Sequence, residues 1–294
     1  MIDPHVARRA WRRLEPVHGM IYFVPEASER YAALGLTGQM TGYFASRGAA
    51  FGEASAEVVI AAFFNFNPAL VRRALPSAWE VTTPAKVLDA RMEAAEAALR
   101  RGGIDTAGAL GETLALARRA AEAAAEHLHG RPLFAAHATL PWPGEPLRDL
   151  FHAQTLLREF RGDGHVAVLT SEGLSPVEAL AMHAAGGDVP EIFLRASRGW
   201  PEEAWAAAVA SLRAKGLLAG AADGQAADDP PSGGDWTTAG LTEEGRRLRA
   251  HIEARTDELA LPAYAALGEQ GCARLAELAQ PFGRAVVSAG LLAV

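Results

Sequence analysis

Alanine, leucine, glutamate and arginine recur at helical spacing through most of this chain. Strand-like alternation is scarce, and no window is dominated by β-branched or aromatic residues. The pattern predicts a mainly α fold, and the punctuation places the helices. One is expected near 4–15. Another follows Ser55 as N-cap and reaches about Phe64, where Asn65-Phe66-Asn67-Pro68 interrupts it; Pro68 suits the first position of the next helix. Thr83-Pro84 opens a helix to about Arg101, which Gly102-Gly103 ends, and a polar-faced helix runs on to about His129. A helix from Asp149 is expected to stop at a turn, Arg161-Gly162-Asp163-Gly164, before a short apolar run from His165 to Leu169. Ser175-Pro176-Val177-Glu178 is a capping box that starts the helix Val177–Ala185. A short helix follows from Pro190, and Pro201-Glu202-Glu203 opens one through Lys215 with Gly216 just past its end. Leu241-Thr242-Glu243-Glu244-Gly245 begins a long helix to about Leu259, and residues 269–290 add one or two more.

At 294 residues the chain has room for two domains. The proline-rich stretch 130–146 is the expected boundary, dividing a helical domain over 1–135 (or a degenerate winged helix) from a second over 147–294. Residues 219–240, rich in Gly, Asp and Pro, read as a mobile surface loop. No long apolar run is free of charge and no h-region follows the N-terminal arginines, so the expectation is a cytoplasmic protein without a membrane partner. Cys272 is the single cysteine, which excludes an internal disulfide or a cysteine-based metal site. His127 and His129 fall on opposite sides of a helix and no HExxH occurs, so no metal site is expected. No cofactor is indicated.

In the second half, a helix ending Leu212…Gly216-Leu217-Leu218, an irregular excursion and then Leu241-Thr242-x-x-Gly245 resembles the winged-helix domain of MarR-like regulators. That resemblance covers about 149–290 and implies a C-terminal winged helix with a small β wing, a third helix that reads DNA, and a dimer held by the 242–259 helix, the terminal helices and the first. The whole sequence also resembles an actinobacterial helix-turn-helix family through PVHGMIYFVPEA, GYFASRGA, NFNPALVRRALP, LPWPGEP, LREFRGDGHVA and RGWPEEAW.

Two features depart from a DNA reader. The third helix opens with Glu202 and Glu203, where a recognition helix normally presents groups that reach base edges. Its wing carries Asp223, Asp228, Asp229 and Asp235 without one Lys or Arg, and the net charge is −7. Carboxylates repel the phosphate backbone. Arg195, Arg198, Arg213 and Lys215 are the cations left for phosphate contact, so DNA is a disfavoured partner.

Candidate chemistry gathers in two places. His152, Arg158, Arg161, Asp163 and His165 form the densest polar group, with Asp163 beside His165 as an orienting carboxylate for an acid–base imidazole. The plainer reading is an Asx-type turn with surface ion pairs. In the first half, His18, Tyr22, Phe23, Tyr43, Arg47, Phe63, Asn65 and Asn67 offer aromatic walls with placed polar groups, as a small-molecule site requires, or else an ordinary aromatic core. The expected protein binds a small molecule between its halves, with His18, Tyr22, Phe23, Tyr43, Arg47, Phe63, Asn65, Asn67, His152, Arg158 and His165 as lining, on a winged-helix scaffold whose DNA binding is weakened or lost. The alternatives are a ligand-responsive regulator, or an enzyme using His165, Asp163 and His18.

Overall fold

The structure, a computed structural model, describes residues 2–106, 108–220, 237 and 240–292. Among these the first half holds α1 (Pro4–Gly19), α2 (Pro25–Ala33), α3 (Gln39–Gly48), α4 (Ala56–Phe63), α5 (Pro68–Ala74), α6 (Ser77–Val81), α7 (Pro84–Arg101), α8 (Leu110–Ala124) and α9 (Pro132–Ala138). The second half holds α10 (Pro146–Ser171), α11 (Pro176–Ala185), α12 (Glu191–Arg198), α13 (Glu202–Ala214), α14 (Glu243–Tyr264) and α15 (Gly268–Ser288). No strand occurs among the described residues. Leu218 and Leu241 form a single antiparallel bridge; most of the expected wing, with its four aspartates, lies outside the described residues. No helix is long and apolar enough to cross a membrane.

The chain divides into two compact units, both discontinuous. Unit 1 comprises Met1–Val59, Arg72–Gly164 and Thr256–Val294; unit 2 comprises Ile60–Val71 and His165–Arg255. The 130–146 stretch, expected as a boundary, therefore lies inside unit 1. The chain passes between units within α4, α5, α10 and α14 instead.

In unit 1, α1 and α15 pack along one another. Ala10, Leu14 and Val17 are buried from α1, and Leu275, Ala279, Phe282 and Val286 from α15. A Cβ at Gly283 would sit 2.9 Å from the Arg13 carbonyl oxygen, so glycine permits this close approach. The faces expected to hold a dimer are thus partly used within one chain. On α14, Glu243, Glu244, Arg246, Arg247 and Arg255 are exposed, which is a charged rather than an apolar face.

The expected turn at 161–164 does not form: α10 continues as one helix of 26 residues. Of its glycines, Gly164 serves packing instead. The Arg131 guanidinium passes beside Gly164, where a Cβ would stand 3.0 Å from Nη1. Arg131 donates to the Phe160 and Leu259 carbonyls and lies 3.7 Å over the Phe160 ring. Two glycines cost the helix about 1 kcal/mol each relative to alanine, and these contacts of a mostly buried arginine offset it.

Unit 2 explains the Asn65-Phe66-Asn67-Pro68 break. Asn67 Oδ1 accepts from Ala69 N at 2.9 Å and caps α5, while its Nδ2 donates to the Gly199 carbonyl at 2.8 Å. Trp200 Nε1 donates to the Asn65 carbonyl at 2.8 Å. A segment from the first half of the sequence is thereby fastened to the α12–α13 turn. The start of α14 is fixed just as locally. Thr242 N donates to the Leu217 carbonyl at 3.1 Å, and Thr242 Oγ1 accepts from Gly245 N at 3.0 Å as the cap. A Cβ at Gly245 would collide with the Leu217 carbonyl oxygen, so the Leu-Thr-x-x-Gly phrase is a requirement of packing.

Candidate functional site

Two side-chain groups stand out, one in each unit, together with the outward face of α13.

In unit 1, several expected lining residues do come together, in the core. His18, at the end of α1, is fully buried and stacks on Phe151 with ring centroids 5.3 Å apart. Its Nδ1 lies 2.9 Å from Thr155 Oγ1 and its Nε2 2.8 Å from the Tyr22 hydroxyl. The Thr155 hydroxyl donates its proton to the Phe151 carbonyl at 2.8 Å. Nδ1 must therefore be the donor to Thr155, and a neutral His18 accepts from Tyr22 through Nε2. Burial, with Arg91 adding repulsion, holds the His18 pKa well below its ordinary value, in agreement with that neutral tautomer. Burial pushes Tyr22 up to about 12, so its proton stays on. Tyr43 packs on Tyr22 at 5.2 Å. Arg47 grips Glu159 with Nε–Oε1 at 3.1 Å and Nη2–Oε2 at 2.8 Å. Burial favours protonated Glu159, but Arg47 outweighs it and keeps the carboxyl below the usual carboxylate range. Arg158 pairs with Glu15 and lies 5.5 Å over the Tyr22 ring. His152 meets Trp142 edge-on at 4.9 Å, and burial pushes it down to about 4. Phe23 is exposed and lies outside the core.

Two buried residues of this core, Arg91 and His137, were absent from the sequence expectation. Arg91 was legible in principle, because it interrupts the buried α7 stripe Val87, Ala90, Ala94, Ala95 and Ala98. A charge on an apolar stripe is informative.

The Asp163–His165 pair does not exist as expected. Two residues apart on a continuous helix, they point to sides about 200° apart. Asp163 is buried in unit 1 and accepts from Phe134 N at 2.8 Å in the first turn of α9. Burial pushes its pKa up to about 7 despite that hydrogen bond.

His165 lines a cavity of about 320 Å³ in unit 2. Leu169, Leu174, Leu180, Met182, Phe193 and Ile252 supply apolar wall, and Asn65, His183, Arg198, Arg249 and Glu253 supply polar groups. Burial, then Arg249, lowers the His183 pKa and favours its neutral form. Phe63 is buried beside Phe66 at 6.3 Å, and Asn67 holds the turn described above, so neither is a wall of this cavity. The expected lining set is thus split between the units: His18, Tyr22, Tyr43, Arg47, Arg158 and His152 in the first, Asn65 and His165 in the second. Among the described residues no cluster of His, Cys, Asp and Glu could hold a metal ion.

Helices α11, α12 and α13 follow one another with short turns, and α11 packs on both of the others. Glu178, the capping-box residue of α11, accepts from Ser175 N at 2.8 Å, Ser211 Oγ at 2.8 Å and Lys215 Nζ at 2.6 Å. Burial works against the carboxylate, but these donors bring its pKa down to about 2. This arrangement of packed helices agrees with the sequence comparison: a family model described as "Helix-turn-helix family" matches residues 7–293. The chain belongs to that family. No curated protein and no solved structure matches it.

Within this helix-turn-helix, α13 buries Trp205, Ala208, Val209 and Leu212. Its exposed positions are Glu202, Glu203, Ala207, Ala210 and Ala214. The four cations considered for phosphate contact all have partners in the chain. Lys215 donates to Glu178. Arg213 Nε donates to the Ala219 carbonyl at 3.3 Å. Arg195 lies 3.9 Å from Glu191, and Arg198 stacks 4.9 Å over Phe66 while donating to Ser197 Oγ at 2.8 Å.

Proposed function

We propose that this helix-turn-helix protein binds a small molecule in the unit 2 cavity and that α13 no longer reads bases. The carrying observation is the exposed face of α13, which offers two carboxylates and three alanines. Alanine can touch a thymine methyl but makes no hydrogen bond to a base edge, and the carboxylates repel phosphate. A MarR-like winged-helix origin is consistent with the Leu218–Leu241 bridge and the Leu-Thr-x-x-Gly cap.

The cavity size supports the ligand reading, since pockets for small molecules start at about 300 Å³ and combine apolar walls with a few converging polar groups. The walls suit an apolar or aromatic body, and His165, His183 and Arg249 suit a polar handle. The helices lining it include α11 and α12, so occupancy would act on the helix-turn-helix itself.

The test pairs native mass spectrometry of the purified protein, for a co-purified small molecule, with gel-shift measurements on DNA upstream of its own gene at two salt concentrations. A retained small molecule, lost on Leu180→Trp to fill the cavity, together with no shift, supports the proposal. Tight salt-sensitive binding to that DNA, abolished by substituting Arg213 and Lys215, would overturn the loss of base reading in favour of a ligand-responsive regulator.

A further inference from the structure

The core of unit 1 buries a second arginine whose charge has no carboxylate partner of its own. Arg91 is 1 % exposed. Its one hydrogen bond, from Nη1 to Ser46 Oγ, is long at 3.4 Å. Its Nε and Nη2 atoms are buried and reach no acceptor of the chain. The Tyr22 hydroxyl lies beside Arg91 and makes no hydrogen bond to those two atoms; it can offer the guanidinium a lone pair but no negative charge, because burial keeps its proton on. The guanidinium is held by stacking instead, 5.5 Å from the Tyr22 and Phe151 ring centroids.

Elsewhere the same chain shows what that edge of an arginine takes. Arg47, Arg101 and Arg274 each present Nε and Nη2 as a parallel fork to both oxygens of one carboxylate, Glu159, Glu26 and Glu112 respectively. Arg91 presents this edge inside the core without such a partner.

Its neighbours add donors and no second negative charge. The Tyr31 hydroxyl and both ring nitrogens of His137 are buried without a partner, and both residues lie within the field of Arg91. A hydroxyl and a neutral imidazole each bring a proton to donate. Of the neighbouring charged groups, Glu159 is matched by Arg47 and Arg158 by Glu15, Asp163 accepts from Phe134 N, and burial keeps His18 and His137 neutral. Arg91 is thereby left with a positive charge that no carboxylate pairs, and with orphaned donors around it. Buried polar groups are paired in the great majority of cases, so a cluster of exceptions calls for an occupant.

We infer that unit 1 contains an internal binding site for a small monocarboxylate, gripped by the Nε–Nη2 edge of Arg91 with Tyr31 and His137 as further donors. A single planar carboxylate matches both the fork and the single uncompensated charge. This site is separate from the unit 2 cavity and does not rest on the function proposed above.

The probes are acetate, propionate and benzoate, each compared with its amide and with chloride at equal ionic strength, read by thermal unfolding of the full chain. At least one carboxylate is expected to raise Tm by about 3 °C or more at saturation, with no response to the amides or chloride. Arg91→Met should abolish the rise. Arg91→Lys, which keeps the charge but not the fork, should need at least about tenfold more carboxylate for the same rise. Equal responses to carboxylate, amide and chloride would overturn the proposal, as would no response in the wild-type protein, a result that needs no variant to fold. A carboxylate response kept by Arg91→Met or Arg91→Lys and lost in Arg249→Met would assign the carboxylate to unit 2 and overturn it equally.

Discussion

Arg47 and Glu159 meet in the core of unit 1 through two parallel hydrogen bonds, with the carboxylate side chain only 2 % exposed. Removing one partner of such a pair leaves a buried charge alone. Glu159→Gln should destabilise the protein by about 3–5 kcal/mol in denaturant unfolding. Replacing both residues by apolar ones should cost less than that single change, because no charge is then stranded.

Acid should weaken unit 1 before it reaches the ordinary carboxylate range. His18 and His137 have folded pKa values below that of an unfolded histidine, His137 at about 3. The unfolded chain therefore binds more protons, and stability falls as pH drops from about 6.5 towards 3. Glu159 acts in the same direction at lower pH. Tm should be lower at pH 5 than at pH 7, and His137→Leu should flatten that slope. An unchanged slope in His137→Leu would show that the ring does not carry it.

Asp163 has the opposite sign. Its folded pKa is raised to about 7, so its contribution is most favourable at low pH and declines as pH rises from about 4 to 7. Asp163→Asn keeps an oxygen for Phe134 N and removes the ionisation. The stability of this variant relative to wild type should rise by about 2 kcal/mol between pH 5 and pH 8, and a pH-independent difference would contradict it.

Glycines of the two long helices should respond differently to alanine. Gly245→Ala drives a methyl into the Leu217 carbonyl and should destabilise unit 2 by about 1–3 kcal/mol. At Gly162 the added Cβ would meet only Glu159 Oε2, at 3.6 Å. Gly162→Ala should stabilise α10 by up to about 1 kcal/mol through helix propensity. Denaturant midpoints of the two variants measure both.

The sequence was most legible where a cap and a stop are local. Thr83-Pro84 and Gly102 bound α7 as expected, and the Ser175–Glu178 box opens α11 with both reciprocal hydrogen bonds. It misled at Arg161-Gly162-Asp163-Gly164-His165, because a glycine that makes room for a distant arginine looks the same as one that makes a turn. The approach of Arg131 is a tertiary fact with no local signature. The site residues divided similarly. His18, Tyr22, Tyr43 and Arg47 were recognisable as a group, since they are close in sequence. Arg91 lay outside that group and only its place on a buried stripe marked it. Asn65 was expected beside His18 as lining, yet it belongs to unit 2, for the carbonyl that fastens it there accepts from Trp200, 135 residues away.

The same fastening sets a schedule for the growing polypeptide. Asn67 leaves the ribosome 132 residues ahead of Gly199, and until then the Ile60–Val71 segment has no native partner among its own helix-turn-helix elements. With synthesis at about 5–20 residues per second, that interval is of the order of ten seconds. Over that time Phe63 and Phe66, both buried in the finished fold, would stand open to chaperones or to a neighbouring nascent chain. A protein that borrows twelve residues from its first quarter to complete a module near its end accepts a period of apolar exposure that a contiguous module would avoid.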